Sequence, residues 1–243
     1  MTTQIFRVLC MFLLCGLSAT ANAQVVRYDF SGTIVSAFAV NPGATNQNIF
    51  GAITSLGDSY TGVFEIDLSA SQSVVIPGMV SGSAVGYDIS PPLRLQLLLN
   101  GVTFENDGPF FAGVINDFSD DVMFPVLDGL SVLDGFDPSL GGTDLVGSTF
   151  LADGVPQSGV LGLSFVDLTA SIFNSNALPS SFSLSDFDTT GSTGFISGVD
   201  SDLNQVGLNF TIDSVSVTAV PEPGGFCFVA ATALGILRRR RRG

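Results

Sequence analysis

The chain has no histidine, lysine or tryptophan, and it has few cysteines. Its 243 residues include three cysteines, Cys10, Cys15 and Cys227, and each lies near one end. The long middle therefore cannot be a disulfide scaffold and must be held together by core packing. The lack of histidine excludes most zinc ligand sets and every Ser-His-Asp or Cys-His arrangement. These absences favour a protein that is not an enzyme.

Cations are also scarce in the middle of the chain. Residues 24–220 contain two basic residues, Arg27 and Arg94, against every acidic residue of the chain except Glu222, which gives a formal charge of −19. Such a surface repels phosphate backbones, which excludes nucleic acid as a partner. It attracts cations, divalent ones included, or it serves only to keep the protein soluble.

Residues 1–23 have the pattern of a secretory signal peptide. Arg7 supplies the positive start, and the apolar run 8–17 is too short for a transmembrane helix. Ala21 and Ala23, followed by Gln24, fit the small-x-small site of signal peptidase. We expect cleavage after Ala23 and export of the remainder.

Residues 24–219 show the alternation of β-strands. Tyr28 and Phe30 alternate with Arg27 and Asp29, which predicts one apolar and one polar face. Asn100-Gly101 predicts a two-residue hairpin turn, because this pair accepts positive φ angles. Later strands are predicted at 110–116, 122–127, 144–151, 159–168, 181–187, 193–199 and 205–217.

Two irregularities are predicted within this β segment. The apolar phase of the last strand switches near Asp213-Ser214, which indicates a bulge. A short helical turn is expected around 168–173.

Many short strands, each with one apolar face, must bury those faces against another sheet. We therefore predict a single all-β domain at 24–219, an antiparallel β-sandwich of jelly-roll type, with a closed barrel as the alternative.

Acidic turns are the chemistry that this β domain offers. Asp200, Asp202 and Asn204 have the spaced oxygens that begin a calcium loop, although Gln205 stands where an EF-hand needs glycine. A calcium site is thus one hypothesis, and solvated turn residues are the other. Paired carboxylates could also serve glycoside hydrolysis, but no pair stands out. We expect no cofactor apart from this calcium hypothesis.

Residues 220–243 combine three ordered elements. Pro221, Glu222 and Pro223 end the last strand, since proline cannot donate to a ladder. An apolar run at 226–237 predicts a short transmembrane helix. Its length is below the roughly 20 residues that usually span a bilayer, which suits a temporary anchor. Five arginines then predict a cytoplasmic end by the positive-inside rule: Arg238, Arg239, Arg240, Arg241 and Arg242.

This arrangement resembles the PEP-CTERM sorting signal of Gram-negative bacteria. The resemblance implies recognition of Pro221, Glu222 and Pro223 by an exosortase, a membrane protease-transpeptidase, with retention by the arginine cluster. It implies an inner-membrane intermediate followed by release to the cell surface or medium, in a context of exopolysaccharide and biofilm production. We therefore expect a non-enzymatic surface or extracellular-matrix protein whose partners are signal peptidase, exosortase, transiently the inner membrane and, as a hypothesis, exopolysaccharide. The alternatives are a carbohydrate-binding module, calcium-dependent or not, and an acid-pair hydrolase.

Overall fold

The computed structural model of the chain describes residues 25–39, 46–78, 81–119, 126–134, 149–188, 192–199 and 204–220. Two compact units are distinguished, Val26–Thr218 and the chain ends, Met1–Val25 with Ala219–Gly243. The described residues of the second unit are Val25, Ala219 and Val220. The predicted signal peptide, 1–23, and the predicted sorting signal, 220–243 apart from Val220, therefore lie outside the described residues.

The regular structure of the described residues consists of β-strands and one 3-10 turn at Leu184–Asp186, with no α-helix among them. In chain order the strands are β1 Val25–Phe38, β2 Gln47–Ile49, β3 Ala52–Thr54, β4 Ser59–Asp67, β5 Gln72–Pro77, β6 Ser81–Ile89, β7 Leu95–Leu99, β8 Val102–Asn106, β9 Phe110–Ser119, β10 Leu127–Asp134, β11 Thr149–Ala152, β12 Val155–Asp167, β13 Thr193–Val199 and β14 Gln205–Val220. Most of the predicted strands 122–127 and 144–151 falls outside the described residues.

Twelve of these strands form one sheet in the order β11-β8-β7-β4-β1-β14-β13-β12-β10-β9-β6-β5. Strand β11 also pairs with β12, so eight strands close into a barrel. The length of β12 allows this closure: residues 155–158 pair with β11, and residues 161–167 pair with β10 along the same edge. Strands β10, β9, β6 and β5 extend the sheet beyond the barrel, while β2 and β3 form a separate hairpin.

The all-β prediction is confirmed, and neighbouring strands pair antiparallel, as β13 does with β14, β4 with β7 and β7 with β8. Among the described strands, the hydrogen bonds do not form the two facing sheets of a jelly-roll sandwich. They run through one sheet that closes on itself, which was the alternative left open above. Alternation reveals which side chains face the core, and both architectures satisfy it. Closure depends on the pairing of β11 with both β8 and β12, which alternation does not encode.

The barrel interior is packed with aromatic side chains. Tyr28 and Phe30 of β1 are buried as the alternation predicts, and Tyr28 stacks on Phe64 with ring centroids 4.6 Å apart. The hydroxyl of Tyr60 donates to the carbonyl oxygen of Thr211 at 2.9 Å. The predicted hairpin turn is confirmed, since Leu99 pairs with Val102 and both turn residues have positive φ.

Gly32 on β1 is required by the close approach of β14. A Cβ atom at this position would lie 1.8 Å from the carbonyl oxygen of Thr211 and 2.8 Å from the Tyr60 hydroxyl. Real atoms cannot approach so closely. Only glycine therefore lets Tyr60 reach its acceptor while the two strands stay paired.

The predicted bulge in β14 is confirmed by side-chain hydrogen bonds between β1 and β14. Thr33 bonds to Thr211 at 3.1 Å, and Ser31 bonds to Ser214 at 2.7 Å. These partners are two residues apart on β1 but three apart on β14, so β14 contains one extra residue. The extra residue explains the burial pattern of β14: the alternation of buried and exposed residues that buries Ile212 is shifted by one position in the residues beyond it.

Residues 168–188, here called the strap, cross the core without joining the sheet. The predicted strand at 181–187 is wrong: this stretch is irregular and contains the 3-10 turn, which Ser183 and Asp186 cap reciprocally. Phe182 is nevertheless buried, and its ring stacks on Tyr28 with centroids 4.8 Å apart. Apolar residues here thus fill the core without a ladder. The predicted helical turn at 168–173 is also wrong, because Asp167 accepts the local N–H groups instead.

A buried carboxylate anchors the start of the strap. Asp128 of β10 is fully buried, and its Oδ2 accepts the N–H groups of Ile172 at 3.0 Å and Phe173 at 2.8 Å. Its Oδ1 accepts the N–H of Asp117 at 2.8 Å. Three donors therefore compensate the burial of this acid, which is what a buried polar group requires.

Candidate binding groove on the outer face of the barrel

Strands β14, β1, β4 and β7 are consecutive in the barrel, and together they present one outward face. The residues of β1 that alternate with its buried ones, among them Arg27 and Asp29, lie on this face. On β4, Val63 pairs with Gln96 of β7. The backbone N–H of Glu65 donates to the carbonyl of Arg94 at 2.9 Å, which places these two residues side by side.

Both arginines of the β domain meet at Glu65. Arg27 Nη1 is 3.9 Å and Arg94 Nε is 3.5 Å from Glu65 Oε1. Arg27 also holds Asp29, with Nη2 at 2.6 Å and Nε at 3.0 Å from Oδ1. The hydrogen bond to Asp29 raises the pKa of Arg27, against the opposing effect of burial. The guanidinium is thus fixed in position and stays charged.

A groove of about 420 Å³ lies beside this charge cluster. Its size falls within the range of small-molecule sites. We call it the outer-face groove. Its lining residues are Arg27, Asp29, Phe30, Ser31, Thr61, Gly62, Val63, Gln96, Leu98, Ser214 and Ser216.

Several polar groups of the outer-face groove are held in place by neighbours. Gln96 Nε2 donates to Glu105 Oε2 at 3.2 Å, and the Ser31 and Ser214 hydroxyls are bonded to each other. Val63, although on the outward face, is only 5% exposed, whereas Leu98 is 46% exposed. The groove therefore combines fixed hydrogen-bonding groups with an apolar surface. Such a combination can bind a ligand that carries many hydroxyl groups.

The predicted sorting and cleavage residues lie outside the described residues. These are Ala21, Ala23, Gln24, Pro221, Glu222, Pro223 and Arg238 to Arg242. Asp200 and Asp202 of the calcium hypothesis also lie outside them. Asn204 is described and directly precedes β14. Whether these three predicted calcium ligands lie close together therefore stays a prediction.

Other acidic turn residues serve the fold. Asp186 accepts the N–H of Ser183 at 2.8 Å, and Asp188 accepts the N–H of Leu168 at 2.7 Å. Within the described residues, no group of three or more Asp, Glu, Cys or His side chains could hold a metal ion. These contacts agree with the interpretation of such residues as turn formers.

The sequence did not indicate the outer-face groove. The alternation of polar and apolar residues places Arg27 and Gln96 on the polar faces of their strands, but it does not reveal that β4 lies between β1 and β7. A useful signal was the scarcity of cations: two arginines among so many carboxylates are expected to pair with some of them. That both arginines contact the same glutamate, Glu65, could be recognised only once the strand order was known.

No family model matches this chain, and no curated protein or solved structure is significantly similar to it. Among the described residues, none of the helical segments has the length and apolar character needed to cross a membrane.

Proposed function

We propose that the chain is an exported, non-enzymatic surface or extracellular-matrix protein that an exosortase sorts and cleaves. The proposal rests on the motif formed by Pro221, Glu222 and Pro223, the apolar run 226–237 and the arginine cluster. In this proposal the arginines hold the intermediate in the inner membrane until cleavage near the Pro-Glu-Pro releases the β domain.

The bounds of the described strands agree with this proposal. Strand β1 begins at Val25, just after the predicted signal peptidase site, and β14 ends at Val220, just before Pro221. Removal of the segments on either side would thus spare every residue of the described strands. The two strands are also neighbours in the barrel. A β domain whose described strands lie between the two predicted cleavage sites fits a protein that is processed at both ends.

The test is the intact mass of the protein recovered outside the cells. We expect a mass that lacks residues 1–23 and the residues beyond the Pro-Glu-Pro motif. Replacing Pro221 and Pro223 by alanine should leave the arginine cluster attached and the protein in the membrane fraction. A matched control, Pro77→Ala in β5, should be processed normally. An exported protein that still carries its polyarginine segment would refute the proposal.

We further propose carbohydrate binding as an alternative role, which the outer-face groove favours. Its fixed donors and acceptors suit hydroxyl groups, since charged partners make the stronger hydrogen bonds. Pull-down with the producing cells' own polysaccharide, with and without a calcium chelator, tests this role. Binding that survives chelation supports the groove, whereas binding lost on chelation points to the calcium hypothesis at 200–204. Absence of binding both with and without the chelator would contradict carbohydrate binding.

A further inference from the structure

The structure points to the class of glycan that the outer-face groove would take. We infer that the groove binds an uncharged polysaccharide chain and discriminates against uronic acid polymers, with Asp29 as the residue that sets this preference. The inference rests on the proposed carbohydrate-binding role and adds the charge of the ligand. It follows from the pairing of the cations, from the surrounding charge and from the apolar surface.

The cations beside the groove are already neutralised. Arg27 contacts the carboxylates of Asp29 and Glu65, and Arg94 contacts Glu65. A carboxylate ligand would therefore have to displace an existing partner to gain a full ion pair. Glu105, which holds Gln96, adds one more negative charge beside the groove. The site thus offers charge-assisted hydrogen bonds without net attraction for an anion.

The rest of the domain acts in the same direction. Residues 24–220 carry a formal charge of −19, so an anionic polymer is repelled during its approach as well as at the site. An uncharged chain experiences neither effect. Its hydroxyl groups can replace water on Arg27, Asp29 and Gln96, whose side chains are held in place before the ligand arrives.

The apolar part of the groove completes the match. Leu98 is almost half exposed and faces the groove together with Val63. A pyranose ring has hydroxyl groups around its edge and C–H groups on its faces. It can therefore pack a face on the exposed side chain of Leu98 while its edge bonds to the polar side chains. A small polar anion would leave this apolar surface in water.

The experiment compares two kinds of probe on the exported protein. One is a panel of uncharged hexasaccharides of gluco, manno and galacto configuration, and the other is hexagalacturonate. We expect binding of at least one uncharged probe and at least about tenfold weaker binding of hexagalacturonate at low salt, the loss that one unfavourable charge contact of about 1.4 kcal/mol would cause.

Asp29→Asn tests the role assigned to Asp29. This change frees Arg27 from its nearest carboxylate, so affinity for the uncharged probe should fall about tenfold and affinity for hexagalacturonate should rise. Asp88→Asn is the matched control: it makes the same change in net charge on β6, at an exposed residue that does not line the groove. It should leave both affinities unchanged.

The outcomes separate the proposals. If hexagalacturonate binds as well as the uncharged probes, or if Asp29→Asn and Asp88→Asn behave alike, the charge preference is refuted while carbohydrate binding stands. If none of the probes binds, both are refuted. The intact-mass experiment decides separately whether the chain is sorted by an exosortase.

Discussion

Replacing Asp128 should loosen the strap at its anchor. Asp128 is fully buried and accepts three backbone N–H groups, those of Asp117, Ile172 and Phe173. In Asp128→Asn, the remaining carbonyl can keep the two strap donors, but the new NH2 group then faces the N–H of Asp117. The NH2 group at the fully buried position 128 then lacks an acceptor, whereas Asp117 is exposed and its N–H can turn to water. A buried donor without an acceptor costs about 1–3 kcal/mol, and we expect a loss of that size in the free energy of unfolding.

Asp128→Ala should cost more, because it removes all three acceptors. Three donors at about 1–3 kcal/mol each would give a larger sum, but Asp117 is exposed and Ile172 and Phe173 are only partly buried, so water can reach these amides after a small opening. We therefore expect about 3–5 kcal/mol for the alanine variant.

Urea unfolding measures these losses, and amide hydrogen exchange locates them. In both variants the exchange of Ile172 and Phe173 should accelerate more than that of amides in the barrel strands. Asp88→Asn, at an exposed site, should change stability by no more than about 0.5 kcal/mol. The reasoning is refuted if Asp128→Asn matches this control, or if strap exchange stays at the native rate.

Three further predictions concern the barrel. Gly32→Ala should prevent β1 from pairing with β14, because the added carbon would lie 1.8 Å from the Thr211 oxygen; loss of the cooperative thermal transition by circular dichroism is the expected result, and a native-like transition would contradict it. Asp167 is buried, but hydrogen bonds from Thr169 and Ser171 outweigh that effect and lower its pKa below the ordinary 3.8. The stability that Asp167 contributes is therefore present above pH 3.8 and is lost as the pH falls through the lowered pKa. Asp167→Asn should thus flatten the acid side of the plot of unfolding free energy, measured with urea, against pH. Burial, with a smaller effect of Asp213, raises the pKa of Tyr60 above its ordinary 10.0; stability should thus fall as the pH rises above about 10, and Tyr60→Phe should weaken this alkaline loss while costing about 1 kcal/mol at neutral pH through the lost hydrogen bond.

Local patterns predicted the strands with large apolar side chains. The buried residues of β1, the Asn100-Gly101 turn and the extra residue in β14 could all be inferred, because each is recorded in neighbouring positions of the chain. Strands β5 and β6 were missed. Strand β6 contains two serines and two glycines, whose short side chains give little contrast between the two faces, and β5 holds a continuous apolar run, 74–76, without alternation.

Features that depend on distant contacts could not be predicted. Phe182 and Phe187 suggested a strand, yet they are buried in an irregular segment by rings from other parts of the chain. The outer-face groove depends on the order of β14, β1, β4 and β7, and barrel closure depends on β11. Strand order is set by packing across the whole domain, and a single sequence does not reveal it.

The central position of β14 has a mechanical consequence. This strand runs for 16 residues between β1 and β13, and it is the last strand in the described part of the chain. Hydrogen bonds in a sheet lie perpendicular to the strands. A pull on the carboxyl end of β14, directed along the strand against a load held at the outer-face groove, would shear many of these bonds together instead of peeling them apart singly. A domain tethered in this way would resist drag from flowing water far better than one held by an edge strand.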